Sequence, residues 1–188
     1  MATAIGIANA ALAILGAQGI SSFDEESPVA RTMQAIYNMT REEVLRAHAW
    51  NCATKTDTLA PDSTAPANTY YSTQYTIPSD CLKILQVGEY GYESDYRIEG
   101  RKILCDEATS LLLKYAFLND DETKWDSLLA MTMTYSLAEK LTYIVTGSPP
   151  VLQLISDKLK ECRREARAVD GQDVPPETFG DFPLIQVR

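Results

Sequence analysis

A chain of 188 residues, 45% of them hydrophobic, suits one ordinary domain with a real core. Its 26 acidic and 17 basic residues leave a formal charge of -9, which argues against nucleic-acid binding as the main task, because that binding draws on Lys and Arg to neutralise phosphates. A wall past which DNA slides without sticking stays compatible with the charge, whereas a membrane span does not fit: the apolar stretch Ala4 to Leu15 is too short and lacks a cationic flank.

Taken in chain order, Ala4 to Leu15 is rich in Ala, Ile and Leu and is followed by Gly16, which predicts a helix ended by a left-handed cap. Ser27 and Pro28 then offer an N-cap oxygen and a first helical residue whose missing N–H costs nothing. Asp24, Glu25 and Glu26 lie just ahead, where a helix dipole favours negative charge. Val29, Met33, Ile36, Tyr37, Val44 and Leu45 recur at helical spacing along this second helix.

After Trp50 the texture changes. Lys55 to Asn68 is Thr, Ser, Ala, Asp and Pro and reads as a loop. "TYYSTQYTIP", "CLKILQVGEYG", "YRIEG", "RKILC" and "SLLLKYAFL" read as short strands with glycine-bearing turns, a small antiparallel sheet between helices. Helical texture returns at Asp120. A long amphipathic helix carries Trp125, Leu128, Leu129, Leu137, Leu141, Ile144 and Val145 and stops at Gly147, after which Ser148-Pro149 repeats the earlier capping device. The last helix turns Val151, Leu152, Ile155, Leu159, Cys162 and Ala166 inward, and its mixed basic and acidic outer face predicts ion pairs four residues apart. Beyond Gly171 the prolines and the lack of a period predict an extended tail, whose Phe179, Phe182, Leu184, Ile185 and Val187 suit docking on a partner or on the chain's own domain.

Chemistry is sparse. Cys52, Cys81, Cys105 and Cys162 are scattered, with no pair at metal-ligand spacing, so they are expected as reduced, mostly buried thiols. His48 is the sole histidine and lies in no nucleophile, P-loop or zinc motif; a helix-end residue bonding a carbonyl is the expectation. The carboxylates of "FDEES" and "LNDDETKWD" keep a carboxylate-dependent hydrolase open as an alternative, with Glu25 and Asp121 as its candidates. Tyr90, Tyr92 and Tyr96 suit either a protein contact or a sheet face. A helix-turn-helix regulator would need a more basic chain.

The run from Ala11 to Ala53 resembles the opening of the podovirus tail tubular protein A and head-to-tail adaptor family. The resemblance is carried by Leu15 and Gly16 at a helix end, by Ile20, Ser22, Asp24 and Glu25 in the following loop, and by Arg41, Leu45, His48 and Trp50 along the next helix. "YTIPSDCLKIL", with Pro78 and Asp80, is similar to the family's strand entry, and "LAEKLTYIVTGSPPVLQLISDKLKECRREARAVDGQ" to its closing helical pair. Three such stretches in order are more specific than any one alone. Cys52 stands where an aromatic is usual after Trp-Asn, and the tail is less family-like.

The resemblance implies a virion structural protein, without enzymatic activity or cofactor. It implies a ring, typically dodecameric, between the portal and a nozzle of the tail tubular protein B kind. Such a ring holds packaged DNA and forms part of its ejection conduit; another head-completion connector or tail component is the nearest alternative. The expected partners are copies of itself, the portal protein and the nozzle, with no sequence-specific nucleic acid and no membrane. Assembly is expected in the host cytoplasm, with the finished subunit at the head–tail junction. The fold expected is α+β but mainly a bundle of about four helices, from residues 1–49 and 119–171, with a small β-rich insertion at 50–118 and a tail at 172–188. The tail apolars are the candidates for portal contact, and the three tyrosines for contact with the nozzle.

Overall fold

The computed structural model describes residues 2–67, 70–89, 95–107 and 109–173. The described residues divide into two compact units, one of residues 53–118 and one formed by residues 2–52 and 119–173.

The second of these units is helical. Helix α1 spans Ala4–Ile14, α2 Pro28–Arg46, α3 Ser127–Thr146 and α4 Pro149–Gln172. Local chemistry sets their ends. The Thr3 hydroxyl accepts from the Gly6 N–H at 3.1 Å, the Ser27 hydroxyl from the Ala30 N–H at 3.1 Å, and the Asp126 carboxylate from the Leu128 N–H at 2.8 Å. At the far ends Gly16 and Gly147 sit at φ 70° and 60°, the left-handed conformation that ends a helix most cheaply at glycine. Ser148 departs from its expected role. Its side chain makes no cap hydrogen bond, and its N–H donates to the Thr146 hydroxyl at 3.2 Å, so proline alone opens α4.

Helix α3 is the hub on which α1, α2 and α4 pack. It buries Leu129, Met133, Leu137 and Leu141 together with Thr132, Ser136 and Thr142, so little of its first four turns faces water. Buried hydroxyls need acceptors, and each donates to the carbonyl four residues back at 2.6 to 2.8 Å.

The β part overturns the expectation of a mainly helical bundle carrying one small sheet. Six strands form two three-stranded antiparallel sheets, and the described residues are 49% helical and 20% strand, a mixed α+β fold. Strands β1 (Thr54–Leu59), β3 (Cys81–Val87) and β6 (Leu111–Phe117) make one sheet in the order β1-β6-β3; β2 (Thr73–Thr76), β4 (Tyr96–Glu99) and β5 (Lys102–Cys105) make the other, in the order β2-β5-β4. The extra strand is β1, within the stretch expected as a loop. Its sequence TKTDTL shows no apolar alternation because its middle residues all face water, and its ladder comes from β6, Thr54 opposite Ala116 through Leu59 opposite Leu111.

Both sheets supply one core. Tyr75 of β2 and Ile103 and Cys105 of β5 join Val87 of β3 and Leu111, Leu113 and Tyr115 of β6. Along β6 the alternation is plain, with Leu111, Leu113 and Tyr115 buried and Leu112 and Lys114 exposed. Glu99 pairs with Lys102 across the loop Gly100-Arg101, where φ 60° at Gly100 suits the first centre of a tight hairpin turn. Among the described residues no helix is long and apolar enough to cross a membrane.

Candidate functional site

In the helical unit, family-like residues take part in three clusters of contacts, the first within and beside one loop and the other two between stretches far apart in sequence. The first holds the loop between α1 and α2. Asn9, an amide within the apolar run of α1, accepts from the Ile20 N–H at 2.8 Å and donates to the Ile20 carbonyl at 3.0 Å, so Ile20 is fixed and buried by a two-way clasp. Glu25 accepts from the Ser21 N–H and hydroxyl, both at 2.9 Å, and these bonds hold its carboxyl below its ordinary value of 4.5. Asp24 accepts from the Gln34 amide at 3.2 Å. The acidic bend is thus more than a charged helix start, since two of its three carboxylates close the loop.

In the second cluster, Arg41 of α2 donates to Glu122 Oε1 at 3.1 Å, and the Tyr37 hydroxyl donates to the same oxygen at 3.1 Å. Glu122 lies in the turn Glu122–Lys124 ahead of α3 and is buried, so this ion pair sits almost out of water. Burial and the neighbouring carboxylate push the Tyr37 hydroxyl well above its usual value, which keeps it a proton donor. Arg41 Nε is the one buried side-chain nitrogen or oxygen among the described residues without a hydrogen-bond partner.

The third cluster lies where α2 ends. His48 Nε2 is 3.2 Å from Asp170 Oδ2, so the histidine meets a carboxylate instead of the carbonyl expected, and its ring stands edge-on to Trp50 with centroids 4.8 Å apart. Asp170 Oδ1 also accepts from the Asn51 N–H at 3.0 Å, while the Asn51 amide donates to the Asp170 carbonyl at 2.7 Å. The indole of Trp50 donates to the Val44 carbonyl at 2.9 Å. A carboxylate in the last turn of α4 opposes the helix dipole, and these donors offset that cost.

In the sheet unit, Asp80 accepts from Lys55 at 2.7 Å and from the Tyr115 hydroxyl at 3.3 Å. Burial disfavours its ionised form, but the Lys55 ammonium outweighs this and the carboxyl lies below its ordinary 3.8. The Pro78 carbonyl takes the Arg101 guanidinium. Tyr96 lies on β4, all four residues of which are exposed. Tyr90 and Tyr92 lie outside the described residues, as do Phe179, Phe182, Leu184, Ile185 and Val187 of the tail.

Asp121, the other carboxylate singled out for acid–base work, caps its own turn, accepting from Thr123 and pairing with Lys124 at 2.9 Å. Among the described residues no group of three or more His, Cys, Asp and Glu side chains is arranged to hold a metal ion. The four thiols are free, with Cys105 and Cys162 buried and Cys52 and Cys81 half-buried; burial pushes Cys52 and Cys105 up. On α4 the ion pairs close at a spacing of three, Lys158 to Glu161 and Lys160 to Asp157, instead of four. Arg163 and Lys140 both turn toward Glu43 of α2.

Sequence reasoning missed Asn9, Glu122 and Asp170. An amide inside an apolar helix and a carboxylate in a last helical turn were usable signals for Asn9 and Asp170. Nothing in "NDDETKW" separates Glu122 from its neighbours.

The helical unit also exposes apolar surface. Tyr143, Ile144 and Leu154, at the tip of the α3–α4 hairpin, are 66%, 65% and 63% exposed. Alongside α1 and the start of α3 runs an apolar groove of about 660 Å³, lined by Gly6, Ala10 and Ile14 on one wall and Ala130, Met131 and Tyr135 on the other.

No protein-family model matches this sequence, and no curated protein sequence matches it.

Proposed function

We propose that this chain is a structural protein of a virion, the ring-forming adaptor between a podovirus-type portal and the tail nozzle. What carries the reading is the use to which the family-like residues are put. Ile20, Arg41, His48 and Asp80 each bond to a residue of another element, and Glu25 closes its own loop, as parts of a rigid building block. The carboxylates proposed for a hydrolase, Glu25 and Asp121, are engaged in closing their own loops. Exposed apolar side chains at the hairpin tip give such a block surfaces for neighbours. A charge of -9 suits a conduit from which DNA must not be held back.

In this reading the helical unit makes the ring contacts and reaches the portal, aided by the apolar tail. The sheet unit, with Tyr96, faces the nozzle. The work is architectural and uses no cofactor. Subunits join in the host cytoplasm and end at the head–tail junction. The test is negative-stain imaging of purified protein mixed with portal rings from the same virus. Ring-on-ring particles are expected; portals that stay bare at saturating protein would overturn the proposal.

A further inference from the structure

A ring of identical subunits needs two different surfaces that fit each other, because a contact that pairs like with like stops at a dimer. We infer that the tip of the α3–α4 hairpin, led by Tyr143, Ile144 and Leu154, inserts into the α1–α3 groove of a second copy of this chain. The inference deepens the ring reading and rests on it for the identity of the occupant.

Both surfaces are free of charge, which is unusual here. Charged residues make up 23% of the chain, yet residues 141–156, which contain the whole tip, include none. None of the residues lining the groove is charged either. Seating one in the other therefore strips water from no ion, and interface cores are depleted of charge for that reason. Size fits as well: Gly6, Ala10, Ala13 and Ala130 leave the groove wide enough to take large side chains, and the tip offers three of them, each more than half exposed. Met131, 47% exposed on the groove wall, adds an adaptable thioether surface.

Placement makes the contact head-to-tail. Both surfaces belong to the helical unit and both are built on α3. Met131 in the groove and Ile144 at the tip are separated by about 20 Å along the helix and by about 140° around it. A subunit can then give its tip to one neighbour while its groove receives the tip of another. Lys140 and Asp157 bracket the apolar tip in sequence, and Lys140 is already paired with Glu43, so the edge of the contact stays polar.

The test is complementation between two variants of the full chain, read by sedimentation velocity over a concentration series. Ile144→Asp with Leu154→Asp spoils the tip, and Ala10→Trp fills the groove. All three positions are exposed, so each variant should keep the wild-type melting curve. Wild type is expected to self-associate as concentration rises, and each variant alone to associate at least about thirtyfold more weakly. Mixed, the two variants retain one sound tip and one sound groove between them and should form a one-to-one dimer and nothing larger. The contact is overturned if the mixture stays monomeric, if either variant alone still dimerises like wild type, or if wild type is monomeric at its highest soluble concentration. Its failure is distinct from that of the adaptor reading. Bare portals with an intact complementation dimer would remove the adaptor role and leave the contact, and portals decorated by the groove variant as by wild type would do the reverse.

Discussion

Replacing Glu122 by Leu should be among the most damaging single changes to the helical unit. Glu122 and Arg41 have side chains only 9% and 15% exposed, and the same carboxylate oxygen also serves Tyr37. Removing one partner of a buried pair costs about 3–5 kcal/mol, because the other charge stays behind unpaired. Arg41 already has one nitrogen without a partner, so it has little to fall back on, though its residual exposure places the expected loss at the lower end, about 3 kcal/mol. For a chain of this size that corresponds to roughly 6–12 °C in melting temperature. Arg41→Met should cost less, because Tyr37 still donates to the carboxylate. The double variant should recover most of the loss, leaving the cost of an orphaned Tyr37 hydroxyl, about 1–2 kcal/mol. The assay is urea unfolding followed by tryptophan fluorescence, since Trp50 and Trp125 both lie in the helical unit. A coupling energy of about 1.5 kcal/mol or more between the two sites is expected. Additive single effects, or a Glu122→Leu loss under about 1 kcal/mol, would show that the pair does not fasten α2 to the start of α3.

Three further outcomes follow from the same contacts. Ile103 is fully buried in the core shared by the two sheets, so Ile103→Ala should lower the stability of the sheet unit by about 2–5 kcal/mol, read by circular dichroism on denaturant titration. Because the folded state depresses the Asp80 carboxyl from its ordinary 3.8, its contribution is present above that value and is lost as the pH falls through the lower folded value; Asp80→Asn should flatten this part of the acid-unfolding curve, and an unchanged curve would refute the role given to Lys55. Glu25→Gln and Asp121→Asn should leave attachment to portals intact, whereas loss of attachment with an unchanged fold would point to a working role for those carboxylates.

Helix ends were readable from sequence because their causes are local. Ser27 with Pro28, and the glycines after α1 and α3, act within a turn of where they stand. The sheets were less legible because strand pairing is not local. TKTDTL carries no apolar alternation, and only the edge of β6, more than fifty positions later, makes it a strand. The split of six strands into two sheets likewise depends on which edges meet. The site followed the same division: Arg41 and His48 stood out as motif residues, but their partners Glu122 and Asp170 lie 81 and 122 positions away in sequence. Tyr96 stood out in the sequence as one of three close tyrosines that suit a protein contact or a sheet face, and only its strand shows that it and its neighbours are exposed.

The measurement that bears most directly on the adaptor assignment is quantitative mass spectrometry of purified virus particles. The account predicts this chain in mature particles at one copy per portal subunit. Particles that lack it, or that carry it at a small fraction of the portal count, would contradict the account.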